Sequence, residues 1–231
     1  MQRMAIVHTN LALITPLGEL SKEMLPEVEI VHIVDDDLLR YARRVGVDNH
    51  LTRRMCTYFE QAHDAGVDLI LSACSSVGDT VDIARQLVPT PILKIDEPMA
   101  RQAVEKGGTV AVLATVESTL HPTCRLLERT AREAGKEIEV LRFLNDGALD
   151  YLVAGDVEKH DEMVTRIAEE AARQADVLLF AQGSMARLAP TLEDRLGKPV
   201  LSSPRVAMEE AQRMLASASG PRRQTALTRQ S

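Results

Sequence analysis

Short runs of Val, Ile and Leu alternate along the chain with longer stretches whose apolar positions recur at helical spacing. Met4–Thr9, Glu29–Val34, Asp68–Ala73, Pro91–Lys94, Thr109–Thr115, Glu137–Phe143, Val177–Ala181 and Pro199–Ser202 read as strands. Several are apolar without interruption, the pattern of strands covered on both faces. Leu51–Ala65, Val77–Leu87, Glu97–Lys106, Leu120–Ala134, Val157–Gln174 and Arg205–Ala216 read as helices. Ser118 and Asp156 are candidate caps, Pro98 and Pro122 suit first helical turns, and Gly66, Gly107 and Gly135 stand where helices should stop. Strand–helix alternation predicts an α/β fold with parallel sheets and helices on both faces. Residues 217–231 carry no apolar period and are expected to form a disordered tail.

The pattern occurs twice. VEIVHIVDDDLL from Val28 resembles IEVLRFLNDGAL from Ile138, an offset of 110. VDLILSACSS from Val67 resembles ADVLLFAQGS from Ala175, and TPIL from Thr90 resembles KPVL from Lys198, both at 108. AIVHTN from Ala5 resembles AVLATV from Ala111, at 106. Four segments in one order at nearly constant spacing predict an internal duplication. The expected architecture is two pseudo-symmetric parallel-sheet α/β domains, residues 1–96 plus 203–216 and residues 97–202. Ligands of open parallel sheets sit beyond the carboxyl ends of the strands. Two such halves facing each other would share a cleft, with Thr9 opposite Thr115 and Cys74 opposite Gln182.

Composition narrows the function. A net charge of −7 lacks the basic surface that nucleic acid requires, and a chain with no Trp, three Tyr and three Phe offers few stacking platforms. No apolar run has the length of a bilayer span, and the chain enters its first strand without a leader, so a cytoplasmic protein with no membrane partner is expected. Cys56, Cys74 and Cys124 form no CxxC pair and no metal-ligand spacing, which fits a reduced compartment and no bound metal.

Candidate chemistry gathers at the strand ends. Cys74 follows an apolar strand and precedes Ser75, Ser76 and Gly78, which places a thiol at the start of a helix. Helix-end N–H groups and dipole lower a thiol pKa and can hold a carboxylate. A small buried hydrophobe is the competing role for a free cysteine. His8, Thr9 and Asn10 end the first strand with three polar side chains, and Thr115 ends the fifth, followed by Ser118 and Thr119. Gln182, Gly183 and Ser184 occupy the second-half equivalent of the Cys74 turn. His160 lies in a charged stretch and is expected on a solvated helix face; His121 is assigned to helix initiation, and Asp35–Asp37 to a turn and cap rather than a metal site.

The H-T-N strand end, A-C-S-S-V-G-D, G-T-V-A-V-L-A-T-V-E-S-T, A-Q-G-S-M-A and P-V-L-S-S-P resemble the aspartate/glutamate/hydantoin racemase superfamily, with arylmalonate decarboxylase and maleate isomerase among its members, over about residues 4–215. The resemblance implies a cofactor-free enzyme whose substrate sits between two facing cysteines, one on each side of the α-carbon. It assigns Cys74 to the first of these, Ser75, Ser76 and Thr115 to carboxylate binding, and His8, Thr9 and Asn10 to the first substrate-binding turn. The second cysteine is missing: Gln182 stands there, or Gly183 after a one-residue shift. Cys56 and Cys124 fall within helices and do not replace it. The resemblance therefore implies an isomerase or lyase that works on a small carboxylate through one thiol, in a chain whose relatives often form homodimers. The alternatives are a true racemase with a non-cysteine second base and a non-catalytic carboxylate binder.

Overall fold

The eight apolar runs are all strands in a computed structural model that describes residues 1–11 and 13–218. The first repeat runs β1 (Gln2–His8), α1 (Ile14–Met24), β2 (Val28–Val34), α2 (Leu38–Val45), α3 (Asn49–Asp64), β3 (Leu69–Ser72), α4 (Asp79–Ala84) and β4 (Ile92–Lys94). After α5 (Glu97–Lys106) the pattern returns as β5 (Thr109–Ala114), α6 (Glu117–Glu133), β6 (Glu139–Leu144), α7 (Ala148–Val153), α8 (Val157–Ala172), β7 (Val177–Phe180), α9 (Ala189–Leu196) and β8 (Val200–Ser202), and α10 (Ser203–Ala218) follows. A 3₁₀ turn follows β3 at Ser75–Val77, and another follows β7 at Gly183–Leu188.

The strands form two parallel sheets, ordered β2-β1-β3-β4 and β6-β5-β7-β8. The duplication reaches the register. Ala5 lies opposite Val31 and Ile70, and Ile70 opposite Ile92; Ala111 lies opposite Leu141 and Leu178, and Leu178 opposite Val200. These pairings carry the same four offsets that relate the sequence segments.

Each sheet is covered on both faces. In the first, Ala5, Val7 and Ile70 pack with Met55, Phe59 and Val81 of α3 and α4, while Met4, Ile6 and Leu71 pack with Leu17 of α1 and Met208 and Ala211 of α10. In the second, Val110, Val112 and Leu179 pack with Met99, Val104 and Leu127 of α5 and α6, while Leu113 and Phe180 pack with Val164 and Leu192 of α8 and α9. The helix that leaves the first sheet thus covers the second, and the last helix covers the first.

Helices α1, α2, α7 and α9 were not expected from the sequence. Each fully buries only one or two residues and is short, from 6 residues in α7 to 11 in α1, so its apolar stripe, such as Leu38, Tyr41 and Ala42 in α2, is brief. Two cap assignments change. Helix α6 begins at Glu117 after an uncapped Val116, so Ser118 lies inside the helix and Pro122 is interior rather than in the first turn. Helix α10 continues through Ser217 and Ala218; the rest of the expected tail, 219–231, lies outside the described residues.

Asp156 caps α8 by accepting from the Lys159 N–H at 3.0 Å, and Asp48, 108 residues earlier, caps α3 through the Leu51 N–H at 2.9 Å. Asp48→Ala and Asp156→Ala should each lower stability by about 1 kcal/mol. In urea unfolding the midpoint should fall with the slope unchanged.

Candidate active site

The carboxyl edge of the first sheet carries the thiol. Cys74 is half-buried between β3 and the 3₁₀ turn, and its extended backbone leads the Ser76 and Val77 N–H groups toward the sulfur. The register that sets Val7 opposite Ser72 brings Thr9 beside Cys74, and the Thr9 and Ser76 hydroxyls also face the sulfur. Both hydroxyls are buried without a complete hydrogen bond. Burial pushes the Cys74 thiol above its ordinary pKa, outweighing the hydroxyls and N–H groups that stabilise the thiolate. The expected lowering by the helix end is therefore reversed, because desolvation is the larger effect.

The second sheet repeats this seat with different occupants. Thr115 takes the place of Thr9, and Gln182 that of Cys74. The Gln182 Oε1 accepts from the Thr115 N–H at 2.6 Å, and its Nε2 donates to the Thr115 hydroxyl at 2.9 Å. The amide is thus closed on the threonine. A Cβ at Gly183 would lie 2.9 Å from a methyl of Leu13, so a side chain at 183 requires the tip of Leu13 to move. Ser184 follows with its hydroxyl buried and unpartnered, as Ser76 does in the first half.

Not all of the residues singled out in the sequence converge on the thiol. Asn10 is half-buried in the turn after β1. Ser75 turns to the carboxyl of Asp96. His8 shares its strand face with Met4 and Ile6 rather than with Thr9, and its Nε2 is 2.9 Å from the Nδ1 of the exposed His32. Burial and the neighbouring His32 push His8 down to about 4. The unfolded chain binds this proton near pH 6.5 and the folded one does not, so stability should fall as pH drops from about 6.5 to about 4. The loss should be about 2 kcal/mol, allowing for partial solvent screening. Urea unfolding across that range should show it, and His8→Gln should flatten the slope.

His160 is fully buried, not on a solvated face. It heads the stripe His160, Val164, Ile167, Ala168 and Ala171 that packs α8 down, and the charged neighbours in sequence hide that stripe. Its Nδ1 is 2.9 Å from Asp161, which also pairs with Arg187 of the turn after Gln182; its Nε2 is buried without a partner. Asp35 accepts from Tyr58 at 2.6 Å, from Arg54 and from the Asp37 N–H at 3.1 Å, so it holds the expected turn, but no side chain of the run caps α2. Lys94 and Asp96 were passed over in the sequence; both are 3% exposed at the end of β4, a charged pair in an apolar run that could have marked them. Among the described residues no cluster of three or more His, Cys, Asp or Glu could hold a metal ion, and no helix is long and apolar enough to cross a membrane.

Solved structures share this architecture. Allantoin racemase from Klebsiella pneumoniae matches with a TM-score of 0.72 at 19% identity, over 94% of this chain and 89% of that one. Glutamate racemase from Francisella tularensis, in complex with D-glutamate, matches at 0.73 and 15%, over 94% and 82%. A variant of arylmalonate decarboxylase in a sulfate-associated form matches at 0.66 and 16%, over 95% and 94%. At these identities the likeness is one of fold. A search of curated sequences found no match. The model of the Asp/Glu/Hydantoin racemase family matches residues 12–211, most of the chain, and the protein belongs to that family.

Proposed function

We propose that the protein carries out cofactor-independent isomerase- or lyase-type chemistry on a small carboxylic acid, with Cys74 as its one cleft thiol. The observation that supports this is the unequal filling of two equivalent seats: a thiol beside Thr9, and an amide closed on Thr115. Full racemisation needs a proton-transfer group on each face of the α-carbon, and a neutral amide takes no proton from carbon. One thiol suffices for decarboxylation with protonation, for addition to an unsaturated diacid, or for exchange from one side.

In the decarboxylating version, the bond between the α-carbon and a carboxylate breaks, releasing CO2 and leaving the electron pair in an enediolate. The Cys74 S–H proton passes to the α-carbon, and the thiolate recovers a proton from water. Burial that keeps Cys74 protonated suits it to be the acid. The Ser76 and Val77 N–H groups hold the thiolate that forms. The unpartnered hydroxyls of Thr9, Ser76 and Ser184 are suited to substrate carboxylate oxygens. With so few aromatic residues, aliphatic diacids, amino acids or hydroxy acids fit better than arylmalonates. A true racemase would need a second group, and His160, with its buried unpartnered Nε2 in the half whose seat holds Gln182 instead of a thiol, is the candidate.

The test is deuterium wash-in. Aspartate, glutamate, hydantoins, malonates and maleate are incubated with the enzyme in D₂O and followed by NMR and chiral analysis. Exchange with retained configuration, CO2 release or a cis–trans product supports the one-thiol reading. Appearance of both enantiomers overturns it in favour of a racemase. Saturable binding without conversion of any compound overturns it in favour of a binding protein.

A further inference from the structure

Behind the Cys74 turn lies a cavity of about 320 Å³ that none of Thr9, Cys74, Thr115 and Gln182 lines. One side comes from the first half: Ser75, Lys94 and Asp96. The other is a face of α6 carrying Arg125, Arg129 and Arg132, four and three residues apart, with Glu128, whose carboxylate lies 3.6 Å from Arg142. The cavity therefore bridges the two halves.

Its charges are not those of a closed structural network. The Lys94 Nζ is 2.8 Å from Asp82, which also binds Arg129 at 2.8 Å, so cations from both halves share one carboxylate. Arg125 pairs with the exposed Asp79 at 3.1 Å. Arg132, among the described residues, reaches the Glu128 carbonyl of its own helix at 3.4 Å and no carboxylate. Asp96 is deeply buried, holds the Ser75 hydroxyl, and keeps its Oδ1 without a partner. An unpaired buried carboxylate oxygen on one side and an unmatched guanidinium on the other ask for a ligand with a donor at one end and an anion at the other.

The repeat shows that the shared fold does not require these charges. At the 108-residue offset Lys94 corresponds to Ser202 and Asp96 to Pro204, and α1, the counterpart of α6, contains no arginine. The equivalent cavity has Ser202 and Pro204 in those places and draws its charges, Arg187, Arg205, Glu193, Asp194 and Glu209, from other elements.

We propose that the charged cavity is a second ligand site, apart from the thiol cleft, for a small carboxylate that bears a hydroxyl or ammonium group. The carboxylate lies on the arginine face and the donor on Asp96. Ser75 is bonded to Asp96 and adjoins Cys74, so occupancy alters the thiol turn; this regulatory part rests on the role proposed for Cys74, whereas the binding part does not.

Calorimetric titration of the full chain with L-malate, L-aspartate and succinate tests it. A malate or aspartate site should persist in Thr9→Val, in which cleft binding is weakened, whereas succinate, which lacks the donor, and the exposed-site variant Arg132→Ala should each show about tenfold weaker binding at that site. Asp96→Asn should erode the preference over succinate. Binding that survives Arg132→Ala but is lost in Thr9→Val would place the ligand in the cleft and overturn the proposal, as would no binding of any of the three to wild type. Iodoacetamide labelling of Cys74 should change rate when the site is saturated in wild type but not in Arg132→Ala. An unchanged rate in wild type removes the regulatory part. Neither measurement depends on turnover, so an inactive enzyme would leave both results standing.

Discussion

Cys74→Ala is expected to abolish turnover, lowering the rate by about 10³-fold or more. The reason is specific to this site. The seat opposite holds an amide engaged at both its oxygen and its nitrogen, so the equivalent position cannot take over the proton transfer. Folding should be nearly unaffected. Cys74 is half-buried and packs at the margin of its cluster, so loss of the sulfur should cost about 1 kcal/mol or less. Cys74→Ser should be almost as inactive, since a serine hydroxyl is too weak an acid to replace the thiol. The rate is read from deuterium incorporation or product formation on whichever panel compound the wild type converts, with circular dichroism and urea unfolding as folding controls. A Cys74→Ala protein with wild-type rate and intact fold would remove the thiol from the mechanism.

The second large effect is a gain. Gln182→Cys should make a one-faced enzyme two-faced, raising formation of the opposite enantiomer from an α-chiral substrate by about 10²-fold or more. Removing the amide frees the Thr115 N–H and hydroxyl, which then stand to the new thiol as Thr9 stands to Cys74. The 3₁₀ turn that starts at Gly183 supplies N–H groups as the Ser75–Val77 turn does. The smaller side chain fits without displacing Leu13, the neighbour that crowds position 183. Gln182→Ala is the control: it opens the same space without an acid and should yield no opposite enantiomer. Chiral chromatography after incubation in D₂O separates the cases. A Gln182→Cys enzyme that still makes a single enantiomer would mean that the two seats do not face one substrate carbon.

Much of the fold could be read from the residues themselves. Buried parallel strands are uninterrupted apolar runs, and the offsets between repeated segments carry the pairing register, so Ala111 opposite Leu141 follows from Ala5 opposite Val31. The short helices escaped because about two turns offer few apolar positions from which to establish a period, as with Leu38, Tyr41 and Ala42 in α2. His160 escaped because its neighbours in sequence are charged, although its neighbours at helical spacing are apolar. At the site, residue types and positions were legible for Cys74, Thr9, Ser76, Thr115 and Gln182. The balance of forces on the thiol was not. Closeness to a helix start can be read from a string of letters, whereas desolvation is set by atoms distant in sequence. Asp96 was hidden for a similar reason, since its one notable property is a missing partner.

The crossing of the two covering helices bears on how the protein is made. Met4 and Ile6 of the first strand share their cluster with Met208 and Ala211, and the Gln2 amide donates to the Leu215 carbonyl at 2.7 Å. A nascent chain that ends before Ser203 has its N-terminal sheet assembled with only α1 on one face, leaving apolar surface that invites association until α10 is translated. Severing the gene between Asp96 and Glu97 would therefore strip α10 from the first fragment while the second keeps α5, α6, α8 and α9 on its sheet, and recovery of the first would depend on co-expression rather than on autonomous folding.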